Sequence, residues 1–150
     1  MGLFRLDFID LTTEIEAPAA LVFDFFKKVE DWPSWARGIK ATRRVSKGDW
    51  GVGFRFSFSP AFLPFPLGTK VIEYEEGRRI AWGLRTPVAS LVHSFSFEPA
   101  AEGRCRVRQL EFAEGLLAIL CRPLRGKIEA FDRGLARDFQ AAVLRAAGRP

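Results

Sequence analysis

One histidine, two cysteines and one tyrosine leave this chain of 150 residues with few of the side chains on which most catalytic and metal centres are built. Cys105 and Cys121 share no metal-ligand spacing and there is no CxxC pair, so neither a metal nor any other cofactor is expected. No Ser-His-Asp or Cys-His arrangement can be read, and Cys105 has no activating neighbour. Met1–Asp10 lacks a basic start followed by an apolar run, so no signal peptide is expected there, and no stretch is apolar for long enough to span a bilayer. A reduced, cytoplasmic protein is the default that follows. There is also no Lys/Arg block and no aromatic-plus-basic RNA signature. The net charge of +5 and the pI near 9.7 are therefore read as solvating outer faces, not as a nucleic-acid footprint.

What is abundant is apolar. Hydrophobic residues make up 48% of the chain and 15 of its residues are Phe, enough for one sizeable core and for pocket walls besides. Phe4–Glu16 alternates and reads as a strand, stopped by Ala17-Pro18. Leu21, Val22, Phe25, Phe26 and Val29 then recur at helical spacing, and Asp31–Trp35 turns into a second short helix. Strands follow at Ile39–Ser46, Val52–Phe58, Thr69–Glu75, Arg79–Thr86, Ser90–Glu98 and Arg104–Phe112, each bounded by Gly, Pro or charged turns. Leu116–Ala147 reads as a helix that could reach about 45 Å. Its stripe is Leu120, Leu124, Ile128, Phe131, Leu135, Phe139 and Val143, and Pro123 must kink or restart it. There are no repeats and no linker, so residues 1–150 are taken as one domain of α+β type.

The local words agree with that order. "IEAPAALVFDFFKKVEDWPSW" (Ile15–Trp35), "RRIAW" (Arg78–Trp82), "HSFSFEP" (His93–Pro99) and "LEFAEGLL" (Leu110–Leu117) resemble, in sequence and spacing, the START-like (SRPBCC) superfamily and its polyketide cyclase/dehydrase-like branch. The resemblance covers nearly the whole chain. It implies a helix-grip fold: a curved antiparallel sheet of about seven strands wrapped around a long C-terminal helix, with two short helices after the first strand and an apolar cavity between sheet and helix. It does not by itself choose between carriers and enzymes.

A hairpin argument places the cavity residues. If the turn "PAAEG" (Pro99–Gly103) closes symmetrically, Phe97 opposes Cys105, Phe95 opposes Val107, His93 opposes Gln109 and Leu91 opposes Glu111. The other face then pairs Ser94, Ser96 and Glu98 with Arg108, Arg106 and Arg104. The same counting puts Trp82 beside His93, with Ile80 and Leu84 on its side. The expected ligand-binding residues are Phe54, Phe56, Trp82, Leu84, His93, Phe95, Gln109, Glu111 and Ile128: apolar walls with a few polar anchors. His93 and Glu111 are the candidate catalytic pair, His93 being the side chain that titrates near neutral pH. They serve equally as a buried pair that satisfies itself. Trp32 and Trp35 are expected to pack against the long helix.

Three functions stay open. The first is binding or transport of a small hydrophobic molecule, a lipid or a polyketide-like aromatic. The second is a cyclase/dehydratase-type enzyme using His93 and Glu111. The third is a module that meets a protein or a membrane peripherally through "SPAFLPFPLG" (Ser59–Gly68), with the chain a monomer or a homodimer. That segment is expected to be a loop, because Pro60, Pro64 and Pro66 deny it strand pairing. Phe62, Leu63 and Phe65 would form a gate at the cavity mouth or a plug at the end of the core.

Overall fold

The computed structural model describes residues 4–148; Met1–Leu3, part of the segment inspected for a leader, and residues 149–150 lie outside the described residues. The strands are β1 (Arg5–Ile15), β2 (Ile39–Arg44), β3 (Arg55–Pro60), β4 (Leu67–Glu75), β5 (Arg79–Arg85), β6 (Ala89–Ala100) and β7 (Arg104–Gly115). They form one antiparallel sheet in the order β1-β7-β6-β5-β4-β3-β2. Helices α1 (Ala19–Lys27) and α2 (Trp32–Trp35) follow β1, and α3 (Leu116–Cys121) and α4 (Arg125–Ala146) follow β7. This is the helix-grip arrangement. Among the described residues no helix is long and apolar enough to cross a membrane.

Pro18 sits just before α1, not inside it, and its carbonyl accepts the Val22 N–H at 3.1 Å. The face of α1 that is buried carries Val22, Phe23 and Phe26, while Leu21 is exposed and Phe25 only half-buried. The inward stripe thus runs through Phe23 in place of Leu21 and Phe25. Phe26 is fully buried and packs on the rings of Trp32, Trp82, Phe95, Phe97 and Phe139 at centroid distances of 4.5–5.9 Å. Trp35 lies on Phe139 of α4 as expected, at 5.4 Å. Trp32 instead turns toward the sheet: its indole N–H donates to the Phe26 carbonyl at 2.8 Å and its ring meets Phe56 and Trp82.

The β6–β7 hairpin has the expected faces but a register two residues away. Phe97 opposes Val107, Phe95 opposes Gln109, His93 opposes Glu111 and Leu91 opposes Ala113. The strands run on through Pro99 and Ala100 and close over Ala101–Gly103 alone. Glu102 (φ 59°) and Gly103 (φ 72°) take left-handed backbone there, which makes a tighter turn than five residues allow. A shift by two keeps every side chain on its face.

The segment Ser59–Gly68 is not a loop throughout. Ser59 and Pro60 end β3, Leu67 and Gly68 begin β4, and Phe58 pairs with Leu67. Pro60 is tolerated as the last residue of its strand, beside a register shift in β2. In the C-terminal segment Pro123 sits in a 3-10 turn over Arg122–Leu124 that separates α3 from α4. The break rotates α3 away from the α4 stripe, so Leu120 is 70% exposed instead of continuing it. Leu135, Phe139 and Val143 are buried in the main core, Phe139 against Phe26 and Trp35.

Two contacts fix the frame. Gly83 in β5 adopts φ 138°, and a methyl group built there would lie 1.9 Å from the Leu91 carbonyl oxygen. Asp138 of α4 accepts the Arg37 backbone N–H at 2.9 Å and the guanidinium at 2.9 Å, which ties the α2–β2 connection to the long helix. Burial pushes the Asp138 carboxyl up, but the hydrogen bonds from Arg37 outweigh this and hold it below the usual carboxylate range.

Gly83→Ala should destabilise the protein by about 1–3 kcal/mol from backbone strain alone, read as a lower urea midpoint at unchanged slope. A folded pKa below the unfolded one means that the Asp138 contribution is present above about pH 4 and is lost as the pH falls through the folded value. Asp138→Asn should therefore lower stability at pH 7 and flatten the acid limb of a stability-versus-pH curve. An acid limb identical to that of the wild type would show that the Arg37 pairing contributes nothing.

Candidate functional site

Packing by the aromatic cluster around Phe26 fills one half of the concave face. The other half holds a pocket of about 660 Å³. Phe56 and Phe58 of β3, Trp82 and Leu84 of β5, Leu91 of β6 and Leu117 of α3 form its apolar wall. Arg55 and Lys70, paired across β3 and β4, stand exposed at its rim. His93 and Glu111 supply a polar floor.

That floor is assembled from three elements. His93 (β6) and Glu111 (β7) are directly opposite one another, with His93 Nδ1 at 3.8 Å from Glu111 Oε2. Gln109, two residues before Glu111 and so on the same face, brings its amide nitrogen to 2.9 Å from His93 Nε2. Asp132 of α4 approaches from the helix side, Oδ1 lying 3.9 Å from His93 Nε2. The imidazole is thus bracketed by two carboxyl groups. Trp82 and Phe95 pack on it at centroid distances of 5.1 and 4.8 Å, which closes it off from water.

Burial governs the charges here. It pushes the His93 imidazole below its ordinary range, against the pull of the Asp132 charge, and so favours the neutral ring. Burial also pushes Glu111 up, opposed by its hydrogen bond with Asp132. Asp132 is fully buried and is pushed up to about 9, first by burial and then by the Glu111 charge and hydrogen bond, with the His93 charge opposing. Facing carboxyls so close together in an apolar surround are best satisfied by sharing one proton. Glu111 apart, no N–H or O–H of the described residues donates to either Asp132 oxygen, and Gln109 Oε1 likewise lacks a partner. His93, Glu111 and Asp132 each offer a ligand atom within 4.8 Å of the others, so this is also where a divalent cation could be held. Cys105 is buried on the same sheet, its thiol pushed up to about 11 by burial, and it is no nucleophile at neutral pH.

Of the residues expected to line a cavity, Phe56, Trp82, Leu84, His93 and Glu111 do so. Phe54 stacks on Trp50 at 4.6 Å, Phe95 lies behind Trp82 and His93, and Gln109 buttresses the imidazole. Ile128 packs on a second, smaller apolar cluster with Leu6, Phe8 and Ala113. Phe62 rests edge-on against Phe131 of α4 at 5.7 Å, the Leu63 carbonyl accepts from Lys40 Nζ, and Phe65 is 53% exposed. None of these three borders the pocket, which Leu67 and Gly68 do. Asp132 was missed because a charged residue on a helix is normally read as solvated. Its place four residues after Ile128 and three before Leu135, on the apolar stripe, was the available signal.

Residues 9–148 match the model of the family described as polyketide cyclase / dehydrase and lipid transport. No match is found among curated proteins. Solved structures share the fold at low identity. An aromatase/cyclase, Zhui, from Streptomyces sp. R1128 is 14% identical with a TM-score of 0.76, over 98% of this chain and all of that one. A START superfamily protein from Mycobacterium smegmatis is 16% identical with a TM-score of 0.74, over 94% and 99%. Norcoclaurine synthase from Thalictrum flavum is 16% identical with a TM-score of 0.68, over 96% of each.

Asp132→Asn keeps the shape of the side chain and removes a carboxyl that folding must either protonate or bury charged. In metal-free buffer at pH 8 the variant should be at least as stable as the parent, with a gain of about 1 kcal/mol or more in urea unfolding. A loss of several kcal/mol would mean that the ionised carboxylate itself holds the fold together.

Proposed function

Because this chain belongs to the polyketide cyclase / dehydrase and lipid transport family, we propose that it binds or carries a small hydrophobic molecule, a lipid or a polyketide-like aromatic, in the pocket above the His93–Glu111 floor. The observation that carries this reading is the pocket's make-up: about 660 Å³, walled mainly by Phe56, Phe58, Trp82, Leu84, Leu91 and Leu117, with few polar groups among the lining residues. That volume suits a drug-sized ligand. Burying an apolar body there gains about 25 cal/mol per Å², while Glu111 and His93 fix the orientation of a carbonyl or hydroxyl group. Arg55 and Lys70 at the rim suit a ligand that is also anionic.

One observation favours a second reading, a cyclase- or dehydratase-type enzyme. His93 lies between two carboxyl groups, at 3.8 and 3.9 Å, and faces the pocket. An imidazole so placed can take a proton from a bound carbonyl compound while a carboxyl returns one. The Trp82 ring beside it, which lines the pocket, would hold an aromatic or polyene substrate out of water.

Thermal shift against fatty acids, sterols and flavonoid-like aromatics tests the binding reading. Ligand at a hundred times its dissociation constant should add about 2.7 kcal/mol of stability. Leu84→Trp, at a half-exposed wall position, should narrow the pocket and weaken binding of the best ligand about tenfold without unfolding the protein. No shift with any class would sink the proposal. Glu111→Gln separates the two readings: a carrier keeps its affinity within a few fold, whereas an enzyme loses turnover of its bound ligand.

A further inference from the structure

We propose that His93, Glu111 and Asp132, with the amide oxygen of Gln109, form a binding site for a divalent transition cation of the zinc, manganese or iron(II) kind. The site goes beyond the binding of an apolar ligand and does not depend on it. Its donors come from three elements, β6, β7 and α4, so no sequence spacing advertises it. That is why a search for Cys and His motifs finds nothing.

Geometry is the first argument. A cation bonded at about 2.0–2.2 Å to each donor sets those donors about 3–4 Å apart. His93 Nε2 and Asp132 Oδ1 are 3.9 Å apart, and the ligand atoms of His93, Glu111 and Asp132 all lie within 4.8 Å of one another. Rotation of the Gln109 amide would replace its nitrogen, 2.9 Å from His93 Nε2, with the oxygen that now has no partner. Small inward movements of side chains therefore complete a four-donor set, and the atoms of an amide at this distance are already spaced as neighbouring ligands.

The second argument is what the site lacks. Asp132 is fully buried and Gln109 is 2% exposed, yet apart from a proton shared with Glu111 neither Asp132 oxygen nor Gln109 Oε1 receives a hydrogen bond from a donor group of the described residues. Among the described residues, no lysine or arginine pairs with Glu111 or Asp132. Two carboxylates and one divalent cation sum to zero charge, which an apolar surround favours strongly over an uncompensated anion. One imidazole nitrogen with three oxygens is a donor set of intermediate hardness, which suits zinc, manganese or iron(II) better than a thiolate-seeking metal. Glu111 keeps 13% of its side chain open to the pocket, so a remaining coordination position would face bound ligand.

The test uses untagged full-length protein, stripped with chelator and then titrated separately with Zn²⁺, Mn²⁺ and, without oxygen, Fe²⁺, with Mg²⁺ as control. Calorimetry should show one site per chain for at least one of the three, and the melting temperature should rise by several degrees. Asp132→Asn, which stays neutral and keeps the side-chain shape, should weaken that binding at least tenfold and abolish the thermal shift. Glu111→Gln should weaken it by a comparable factor. The absence of binding by all three metals, or a shift retained in Asp132→Asn, overturns the proposal in favour of a shared proton. The ligand panel repeated in chelator stands or falls separately, because the apolar wall is unchanged.

Discussion

The structure turns on how much of one concave sheet a single helix can fill. A seven-stranded antiparallel sheet that twists and curls presents more inner surface than α4 can cover. Phe26 resolves half of the problem. Standing near the end of α1, it fills the gap between Trp82 and Phe95 on the sheet and Phe139 on the helix. Large aromatic groups do this with little loss of conformational freedom and gain further from tilted and edge-to-face contacts. Where that plug ends, beyond Trp82 and toward β3 and β4, Phe56 and Phe58 stand as wall and the pocket begins.

The polar floor lies on this boundary, and its position explains its chemistry. Were it in the aromatic plug, three ionisable groups would be sealed with no solvent at all. Were it at the rim, water would relax each toward its ordinary pKa. At the junction, Asp132 is sealed while His93 and Glu111 still border the pocket. The site therefore keeps a reservoir of unmet polar atoms against the one side from which a ligand can arrive. Unmet buried polar groups are costly, so such an arrangement is poor as pure scaffolding. Its logic is that of a site completed by something the chain does not itself supply.

How much of this could be read in the sequence depended on whether a local rule decided it. Alternation in β6 and β7 decided which residues face inward, and a wrong register could not spoil that so long as the error was even. The left-handed Glu102 was the source of the error, since nothing marks a glutamate for positive φ. The α1 stripe was misjudged for a similar reason: Leu21, Phe23 and Phe25 are all large and apolar, and only the seating of the helix against Phe97 and Tyr74 selects Phe23. Asp132 was hidden by its own charge. Whether the segment around Phe62 gates the cavity or plugs the end of the core stays open in the sequence, because spacing does not show which side chain lies opposite; Phe62 meets Phe131 of α4.

Asp132 also makes the site a reporter of how α4 is seated. His93, Gln109 and Glu111 are fixed to one another by the β6–β7 ladder and would persist wherever the helix lay. Asp132 reaches them only if α4 has the right rotation and axial position. Six residues further along the same helix, Asp138 is gripped by the backbone and guanidinium of Arg37, a side chain 76% exposed to solvent. An exposed arginine pair contributes little to stability in general. Here its partner is only 8% exposed, and the grip includes a backbone N–H whose position the α2–β2 connection dictates. Six residues span about 9 Å of helix, so a shift at one carboxylate is carried rigidly to the other. The clamp at Arg37 thus helps to seat Asp132 against His93 from the far side of the helix, and the sheet-borne half of the site gains its second carboxyl from α4.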